Sequence, residues 1–594
     1  MTTNNRIEEF LSQADEYLRQ EPEASLREEL SELCTRAQAG DAVACEELAD
    51  RFTGSLRFGT AGLRGRVEGG TNRINRVVVA RASWGLGRHL LQGAMGVSAD
   101  RGVVIGFDGR RMSRQFAEDT AAVLAALGVP CWLFPVVVPT PLCAYAVRAL
   151  KAAAGVMVTA SHNPPRDNGY KVYQATGGQI IAPHDSQIAS WIDQAPSQID
   201  RLCPFEAAQA GLRKIISESV TEEYLSAVGQ GALHPGVLTR QPISVVYTAM
   251  HGVGHALVER ALRGAGLKGL TVVPSQTEPD GAFPTVSFPN PEEPGAMDRA
   301  VALAKETFAP VIVANDPDAD RLAVAIRQED GDYRQLTGNE VGALLGHDAL
   351  AYMDTGDAPK LAVTTIVSST MLSRIAEDLG HRYAETLTGF KWLADAAIRG
   401  LKERGEHFVF GFEEALGYSV GPLVRDKDGV SAIVRFVELC AWLQEQGRSP
   451  QDELDRLSLA HGLSVGQQWS ARLPGQQGLA QIQQIMESLR QRPLTELAGV
   501  PVVARCDLKD GSSWAQSDPE RRSMELPAAN VLVYYDAEGT RLVVRPSGTE
   551  PKIKLYLESV GWPKQKADID AVTQERKQRL EQIRAAINVR LGLD

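Results

Sequence analysis

The stretch Val311-Ile-Val-Ala-Asn-Asp-Pro-Asp-Ala-Asp-Arg321 passes from four apolar residues directly into an acidic loop. A short apolar run bounded by turn residues predicts a buried strand. The three aspartates that follow, at spacings of two, can converge on one cation if the backbone curls around it. Oxygen ligands alone favour Mg²⁺ or Ca²⁺ over Zn²⁺. The stretch therefore predicts a strand that ends in a metal loop, with a solvated acidic loop as the alternative.

This acidic loop differs from an EF-hand. Arg321 stands at the sixth position, where that motif needs Gly, and Arg327 stands at the twelfth, where it needs Glu. Three carboxylates leave an octahedral Mg²⁺ incomplete, and a phosphate oxygen is the usual further ligand. The loop on its own thus points to chemistry that involves a phosphate group.

Strand-like and helical segments alternate on both sides of this stretch. Such alternation predicts βαβ units and doubly wound, largely parallel sheets, which bind ligands at the carboxyl ends of their strands. The predicted helices include Gln115–Leu124 and Met371–Leu379, and the first fifty residues also show helical spacing of apolar positions. The predicted strands are Val103–Phe107, Val156–Val158, Ile243–Tyr247, Val311–Ala314, Leu361–Thr365 and Phe408–Phe410.

The composition is that of a globular protein too long for one core. The chain has 594 residues, of which 44% are hydrophobic and 23% charged, and its net charge of −12 argues against a nucleic-acid partner. Seven cysteines without a C-x-x-C pair favour free thiols in a reducing cytoplasm. The polar N-terminus differs from a signal peptide, and no apolar run approaches the roughly 18 residues of a membrane span. We therefore expect a cytoplasmic protein with neither a nucleic-acid nor a membrane partner.

The segment boundaries follow from polar, Pro-containing connectors near 193–204 and 444–457, and from a hairpin turn predicted at Arg327–Tyr333. The last segment differs from the others, because two strands flank Arg545–Pro551 and a charged helix closes the chain, which favours a smaller α+β domain. The predicted division is a helical extension at 1–50, domain I with the Ser161 loop at 51–205, domain II with the acidic loop at 206–327, domain III with paired glutamates at 328–455, and domain IV with the Arg545 loop at 456–594.

Thr159-Ala-Ser-His-Asn-Pro164 places Ser161 and His162 on a turn after a predicted strand, and Lys171 follows ten residues after the serine. An Asn-Pro turn whose serine caps nearby backbone is the alternative to a reactive hydroxyl. Since adjacent strand side chains point apart, we expect Ser161 and His162 not to form a Ser–His dyad easily.

Two further loops carry polar side chains at predicted strand ends. Gly411–Tyr418 contains Glu413 and Glu414 between glycines, which suits sugar hydroxyls but also suits a helix N-terminus. Arg545-Pro-Ser-Gly-Thr549 offers an arginine, two hydroxyls and exposed backbone, the groups that hold a phosphate dianion; a plain turn between strands is the alternative.

Taken together, these loops resemble the α-D-phosphohexomutase superfamily, which includes phosphoglucomutase and phosphomannomutase. The longer branch that holds phosphoglucomutase-2-type and phosphopentomutase enzymes is closest in motif variants. The matching motifs run in order from about residue 50 to 560: Phe58–Gly65, Thr159–Pro164, Asn168–Lys171, Asp316–Arg321, Thr388–Lys391, Gly411–Tyr418, Asp426–Gly429 and the Arg545 loop.

The resemblance implies a four-domain architecture, with three doubly wound α/β domains and a C-terminal α+β domain around a central cleft. It also implies a phosphoryl transfer between the 1- and 6-positions of a hexose phosphate, glucose above all, through a phosphoserine enzyme and a sugar 1,6-bisphosphate. Mg²⁺ would be the cofactor, a sugar 1,6-bisphosphate the activator and a sugar phosphate the small-molecule partner, in a monomer or homodimer.

The resemblance assigns a role to each motif residue. Lys171 would be the general acid or base, with a pKa that could fall beside Arg64 and the metal, and His162 would order the loop. The implied catalytic residues are Ser161, Lys171, Arg64 and His162; the metal ligands are the Ser161 phosphate, Asp316, Asp318 and Asp320; and the substrate residues are Arg321, Thr388, Lys391, Glu413, Glu414, Lys427, Arg545, Ser547, Gly548 and Thr549.

Two positions depart from the common family pattern. Ala415 replaces a serine in the sugar loop, which removes one hydroxyl contact and weakens any choice between glucose and mannose, and Pro317 replaces a glycine in the metal loop, which stiffens it. Phosphomannomutase and phosphopentomutase activities are the alternatives, and a Ser-dependent sugar phosphatase is a more remote one. A nucleotide-sugar transferase and a non-catalytic sugar-phosphate sensor fit less well, because no nucleotide motif is visible and no key side chain is lost.

Overall fold

A computed structural model describes residues 3–57, 62–196, 210–473, 475–523, 526–547 and 552–593. The chain divides into two compact units, Met1–Leu336 with Gly417–Ala441, and Thr337–Leu416 with Trp442–Asp594. In the described residues, no helix combines the length and the apolar character that a membrane crossing requires.

The first unit begins with three helices, as predicted from the helical spacing, and we call them the N-terminal helices: Thr3–Leu18, Ala24–Gln38 and Ala42–Phe52. They share a hydrophobic cluster with the next two long helices of the chain. Leu30, Leu48 and Phe52 from one side pack with Val77 and Val123 from the other. The extension is therefore part of the core of the first unit.

The first sheet is mixed. Its strands lie in the order Leu63–Arg66, Asp167–Gln174, Ala154–Val158, Val103–Phe107, Cys131–Leu133 and Arg213–Ile215. The last four are parallel and the first two are antiparallel additions at one edge. The central strands are fully buried runs of apolar residues, as parallel strands covered on both faces require. The accompanying helices are Arg76–Leu91, Ser113–Ala126, Thr140–Ala149 and His184–Asp193.

The second sheet orders Tyr333–Gln335, Ala323–Arg327, Val311–Ala314, Ser244–Thr248 and Gly269–Val272. Arg327 pairs with Tyr333, so the predicted hairpin turn is confirmed. The remaining elements of this unit include Gly417–Val420, and helix Gly429–Glu445 begins in it. Helices His255–Gly264 and Asp298–Thr307 lie between these strands along the chain, and helices Glu218–Gln230 and Val237–Arg240 precede the first of them.

The second unit contains a parallel three-strand arrangement of Arg382–Thr386, Lys360–Thr365 and His407–Glu413. Its C-terminal sheet is antiparallel and far larger than the two strands predicted. The strands of that sheet are Leu463–Arg472, Lys552–Gly561, Arg541–Pro546, Leu532–Asp536, Val500–Asp507, Ser512–Ala515 and Asp518–Ser523, and Glu496–Leu497 pairs at its side. The helices are Gly338–Tyr352, Met371–Asp378, Phe390–Arg404, Pro450–His461, Gly475–Gln491 and Ile569–Leu591.

The predicted connector at 444–457 is wrong in its extent, because only residues 446–449 lie outside helices. One helix continues to Glu445 and the next begins at Pro450, with Ser449 capping it by accepting from the backbone of Asp452. Proline at the first helical position starts a helix instead of breaking it, because it lacks only an N–H that has no partner there. The predicted boundary at residue 205, the connector residues 197–204 and Cys203 lie outside the described residues, whereas the other six cysteines are free thiols. The boundaries at 50, 327 and 455 remain our proposals.

Candidate active site

The acidic loop curls as the metal prediction required. Ala319 takes a left-handed φ of 55°, and one oxygen from each of Asp316, Asp318 and Asp320 lies within 4.8 Å of the others. Glycines from other segments press against this loop. A Cβ on Gly429 would lie 2.7 Å from the Ala319 carbonyl oxygen, and one on Gly252 would lie 2.5 Å from that of Pro317. Close backbone approach therefore holds the three carboxylates together.

The three carboxylates are buried and suit a divalent cation. The Oδ1 atoms of Asp318 and Asp320 are buried and have no hydrogen-bond partner among the described residues. A buried charged oxygen without a partner is costly, and a hard cation is the ligand that compensates it. Burial, together with repulsion from the other two carboxylates, raises the pKa of Asp316 well above its ordinary value. The donor set of this loop therefore fits Mg²⁺.

Ser161 lies at the same place. Its Oγ donates to Asp316 Oδ2 at 2.7 Å, although 155 residues separate the two in sequence. Ser161 has a left-handed φ of 53°, and its N–H donates to Thr159 Oγ1. Because of this turn, His162 Nδ1 lies 3.2 Å from Ser161 Oγ. The expectation that these neighbours point apart is therefore wrong, since it assumed strand geometry.

Lys171 lies on strand Asp167–Gln174 and reaches the same carboxylates. Its Nζ donates to Asp318 Oδ2 at 2.8 Å and to Asp320 Oδ2 at 3.0 Å. Burial alone would lower the pKa of Lys171, but Asp318 and Asp320 outweigh it and raise the pKa above its ordinary value. Burial would likewise raise the pKa of Asp318, yet Lys171 and Thr140 hold it below the ordinary value. The expected fall in the pKa of Lys171 is therefore wrong for the site that the protein side chains build.

Three more cationic side chains surround the carboxylates. Lys427 Nζ lies 3.2 Å from Asp320 Oδ2, and Arg321 Nε lies 3.9 Å from Asp316 Oδ2. The Nε of Arg64 is buried and has no hydrogen-bond partner in the described part of the chain. A buried guanidinium nitrogen without a partner suits an anionic ligand. The same positive groups matter for His162, because burial, Arg321 and Arg64 hold its pKa well below the ordinary value. The fold therefore favours the neutral imidazole of His162 over its charged form.

Arg110 was not among the residues singled out from the sequence, and the structure places it under the Ser161 loop. Its guanidinium donates to the carbonyl oxygens of Ser161 and Asn163, at 2.6 Å each, and to those of Pro164 and Asp167, at 2.9 and 3.0 Å. The available signal was its position directly after the predicted strand Val103–Phe107, in the polar Asp-Gly-Arg turn 108–110.

The Lys427 segment also has support that the sequence did not reveal. Asp426 lies 3.6 Å from Lys427 Nζ and accepts hydrogen bonds from Tyr173 at 3.0 Å and from Gln179 at 2.8 Å. Asp428 accepts from Tyr224 at 2.8 Å. The two aspartates of the Asp-Lys-Asp-Gly motif therefore fix its backbone and leave the lysine beside Asp320.

In the second unit, the predicted sugar loop is a turn after strand His407–Glu413, so the helix N-terminus alternative is wrong. Glu413 Oε1 accepts from the N–H of Gly389, which lies between the predicted residues Thr388 and Lys391. Glu414 Oε2 accepts from Ser368 Oγ at 3.2 Å. The Thr388–Lys391 motif and the paired glutamates thus belong to one place in this unit.

Arg545 lies near the end of strand Arg541–Pro546. Its Nη2 donates to the Tyr556 hydroxyl at 3.4 Å, its guanidinium carbon lies 5.8 Å from that ring, and its buried Nε has no hydrogen-bond partner among the described residues. Ser547 donates its N–H to the Lys552 carbonyl, which keeps the two strands paired. The pKa of Tyr556 is raised above its ordinary value, because burial and the charges of Glu414 and Glu413 outweigh the opposite effect of Arg545. Gly548 and Thr549 lie outside the described residues.

Four family models match the chain in order. They describe the alpha/beta/alpha domains I, II and III of phosphoglucomutase/phosphomannomutase, at residues 55–198, 222–331 and 337–459, and the C-terminal domain, at 502–576. The chain belongs to the phosphoglucomutase/phosphomannomutase family. This confirms the resemblance to the α-D-phosphohexomutase superfamily and its four-domain α/β architecture. Members of the family are mutases, which are isomerase-type phosphotransferases of carbohydrate metabolism.

Relatives within the family carry different substrate names. The chain is 42% identical over 506 residues to a "probable phosphomannomutase" of Haemophilus influenzae, a match that covers 84% of this chain and 96% of the relative. It is 36% identical to a human "phosphopentomutase", with 86% of each chain covered. It is 34% identical to a "phosphoglucomutase" of Staphylococcus epidermidis, with 86% and 92% covered. The family therefore fixes the reaction type and leaves the sugar open.

A solved family structure has the same fold. A phosphomannomutase described as putative, from Thermus thermophilus, superposes with a TM-score of 0.64 at 24% identity, over 89% of this chain and 99% of the other.

Proposed function

We propose that this chain moves a phosphoryl group between C1 and C6 of a hexose phosphate, with glucose as the hexose, through phosphoserine 161 and a sugar 1,6-bisphosphate. The observation that carries the proposal is the buried contact of 2.7 Å between Ser161 Oγ and Asp316 in the three-aspartate loop. A serine hydroxyl in that place can carry a phosphate whose oxygens complete the ligands of a cation. A structural serine that caps a turn needs no such neighbour.

The proposed chemistry consists of two phosphoryl transfers. In the first, a sugar hydroxyl oxygen bonds to phosphorus and the bond between phosphorus and Ser161 Oγ breaks; Lys171 gives a proton to Ser161 Oγ and takes the proton of the sugar hydroxyl in return. After the bisphosphate has turned over, Ser161 Oγ bonds to its other phosphorus, the bond from that phosphorus to the sugar oxygen breaks, and Lys171 passes the serine proton to the leaving sugar oxygen in the same way. Such transfers depend mainly on positioning and charge neutralisation. A Mg²⁺ held by Asp316, Asp318 and Asp320 would supply part of that neutralisation when bound.

The surrounding cations divide the remaining tasks in this proposal. Arg64, whose buried Nε has no hydrogen-bond partner among the described residues, neutralises the transferring group. Lys171 exchanges the proton, and because its pKa is raised it carries that proton at neutral pH and is set to act first as an acid. His162, whose neutral form the fold favours, lies beside Ser161 and orders the loop.

The substrate residues complete the proposal. Arg321 and Lys427 beside the carboxylates, and Thr388, Lys391, Glu413 and Glu414 in the second unit, contact the sugar or its phosphate. Arg545, Ser547, Gly548 and Thr549 hold the phosphate that is not reacting. A phosphatase needs no second phosphate site, and this favours a mutase. A sugar 1,6-bisphosphate would prime Ser161 and replace any intermediate that escapes.

The choice of glucose is tested by coupled assays on the 1-phosphates of glucose, mannose, ribose and deoxyribose, at the same Mg²⁺ and matched bisphosphate concentrations. We expect the highest kcat/KM with glucose 1-phosphate. A pentose phosphate is the second candidate, because a phosphopentomutase is among the relatives. A higher kcat/KM for ribose or deoxyribose 1-phosphate would replace the hexose by a pentose, and release of inorganic phosphate as the main product would replace the mutase by a phosphatase.

The covalent mechanism is tested by Ser161→Ala. We expect at least about a hundredfold loss of kcat, which corresponds to roughly 2.7 kcal/mol in the barrier. Intact-mass measurement should show partial single phosphorylation of the wild type and none of the variant. A variant that keeps most of its turnover would exclude phosphoserine 161 as the intermediate.

A further inference from the structure

The strand that carries Arg64 has little support of its own. Leu63–Arg66 has four residues and lies at the edge of its sheet, where strand Asp167–Gln174 is its one neighbour among the described strands. Arg64 pairs with Gly169, and its Nε has no hydrogen-bond partner in the described residues. The position of this guanidinium therefore depends strongly on its backbone. A short edge strand has few contacts of its own, so the turn next to it helps to fix its register.

The N-terminal helices hold the turn that follows this strand, residues 67–75. Asn72 donates its N–H to the Arg51 carbonyl at 2.9 Å and its side-chain amide to the Asp50 carbonyl at 3.0 Å. A Cβ on Gly70, which has a φ of 134°, would lie 2.9 Å from the Arg51 carbonyl oxygen. One on Gly69 would lie 3.1 Å from Leu30 Cδ2. The helices and the turn therefore meet in a close contact, which excludes a side chain at Gly70 and is tight at Gly69.

Two buried arginines join the same two parts by ion pairs. Arg73, from the turn, pairs with Glu68 at 2.7 Å, with Asp50 at 2.7 Å and with Glu47 at 3.1 Å. Arg51, from the third N-terminal helix, pairs with Glu47 at 3.0 Å and with Glu68 at 3.5 Å. Glu47 and Asp50 belong to the N-terminal helices, whereas Glu68 belongs to the turn. Each buried guanidinium therefore binds carboxylates from both parts. A buried, multiply paired guanidinium fixes geometry well, because its planar fork allows few arrangements.

We infer that the N-terminal helices are a positioning element for Arg64, and that Arg73 is the positioning residue that links them to its strand. These helices lie before the first segment that the family models match. The inference rests on the proposed role of Arg64 in neutralising the transferring group. Without the ion cluster the 67–75 turn loosens, the edge strand shifts and the guanidinium moves off the reacting phosphate. A shift of about 1 Å in a catalytic group can cost on the order of a hundredfold in rate.

The test is Arg73→Met, which removes the charge and keeps the length of the side chain. The matched control is Arg36→Met, because Arg36 is half exposed and pairs with Asp41 inside the N-terminal helical region, away from the turn. With glucose 1-phosphate, Mg²⁺ and bisphosphate, we expect Arg73→Met to lower kcat at least about tenfold at a temperature where circular dichroism shows a folded protein. We expect KM to stay within about twofold, Arg73→Lys to recover most of the loss, and Arg36→Met to match the wild type.

A double-mutant cycle separates positioning from plain stability. In an Arg64→Lys background, Arg73→Met should lower kcat less than about twofold, because the group it positions is already changed. An equal loss in both backgrounds, or a wild-type kcat for Arg73→Met, overturns the inference. If Arg64→Lys itself keeps wild-type kcat, the proposed role of Arg64 fails, and this inference fails with it. If Arg64→Lys is impaired and Arg73→Met is not, the inference alone fails.

A milder variant covers the case in which Arg73→Met does not fold. Asp50→Asn removes one partner of Arg73 at a side chain that is 65% exposed, so it leaves the core intact. We expect it to lower kcat about twofold to threefold with unchanged KM, and to lower it no further in the Arg64→Lys background. A wild-type kcat for Asp50→Asn, in the absence of a folded Arg73→Met, overturns the inference.

Discussion

Replacing Arg110 by methionine should displace the Ser161 loop and lower both activity and stability. The guanidinium is buried and donates four hydrogen bonds, to the carbonyl oxygens of Ser161, Asn163, Pro164 and Asp167. These bonds hold a loop in which Ser161 takes a left-handed φ of 53°. For a non-glycine residue such a backbone costs about 1–3 kcal/mol, and it persists only where the surroundings impose it. Methionine fills a similar volume but donates no hydrogen bond that would hold this backbone in place.

The size of the effect follows from these contacts. Hydrogen bonds from a charged donor contribute about 1.5–3 kcal/mol each, so four independent bonds would give about 6–12 kcal/mol. That exceeds what single substitutions usually cost, and water can replace Arg110 at the carbonyls of residues 163, 164 and 167, which are only partly buried. We therefore expect a loss of about 2–4 kcal/mol in the free energy of unfolding. Relaxation of Ser161 by about 1 Å should lower kcat about a hundredfold, or roughly 2.7 kcal/mol in the barrier.

The assay compares kcat and thermal unfolding for Arg110→Met, Arg110→Lys and Arg114→Met. Arg114 is exposed and, in the part of the chain that the structure describes, pairs with Glu118 on its own helix, so its loss should change the free energy of unfolding by no more than about 0.5 kcal/mol and leave kcat unchanged. Lysine can reach fewer of the four carbonyls, so Arg110→Lys should fall between the wild type and Arg110→Met. The reasoning is refuted if Arg110→Met, shown to be folded, keeps kcat within about threefold of the wild type.

Two further predictions concern the metal and the second phosphate site. The fold raises the pKa of Asp316, so the native state binds the proton of this carboxyl group more tightly than the unfolded chain does. The stability that this proton provides is lost as the pH rises above the ordinary aspartate pKa near 4. Mg²⁺ should therefore raise the unfolding temperature more at pH 8 than at pH 5, and Asp318→Asn should remove most of the rise; equal shifts at both pH values in thermal melts would contradict this. Arg545→Ala should lose about 1.5–3 kcal/mol of phosphate binding and lower kcat/KM by the same factor in both directions of the reaction. It should also increase the dependence of the rate on added bisphosphate. An unchanged bisphosphate requirement would show that the Arg545 loop is a turn without a role in phosphate binding.

The sequence by itself determined the elements whose signal is local. The apolar run Val311–Ala314 predicted its strand to the residue, and Val103–Phe107 did the same. The ordered motifs determined the family, because each needs particular side chains at fixed spacings on one loop. Where a local signal has two meanings the prediction failed, as at 444–457, where a proline and polar residues start a helix at Pro450.

Only the tertiary structure decided the electrostatics and the supports of the site. The pKa of Lys171 depends on Asp318 and Asp320, which follow it by 147 and 149 residues, and the sign of its shift is the balance of burial against those two charges. The grip of Arg110 on the Ser161 loop likewise joins segments about fifty residues apart, and nothing in the local pattern of either segment reports the other. A periodicity or a motif describes what neighbours along the chain do, whereas electrostatic energies and hydrogen bonds depend on distance in space, and that distance exists only once the chain has folded.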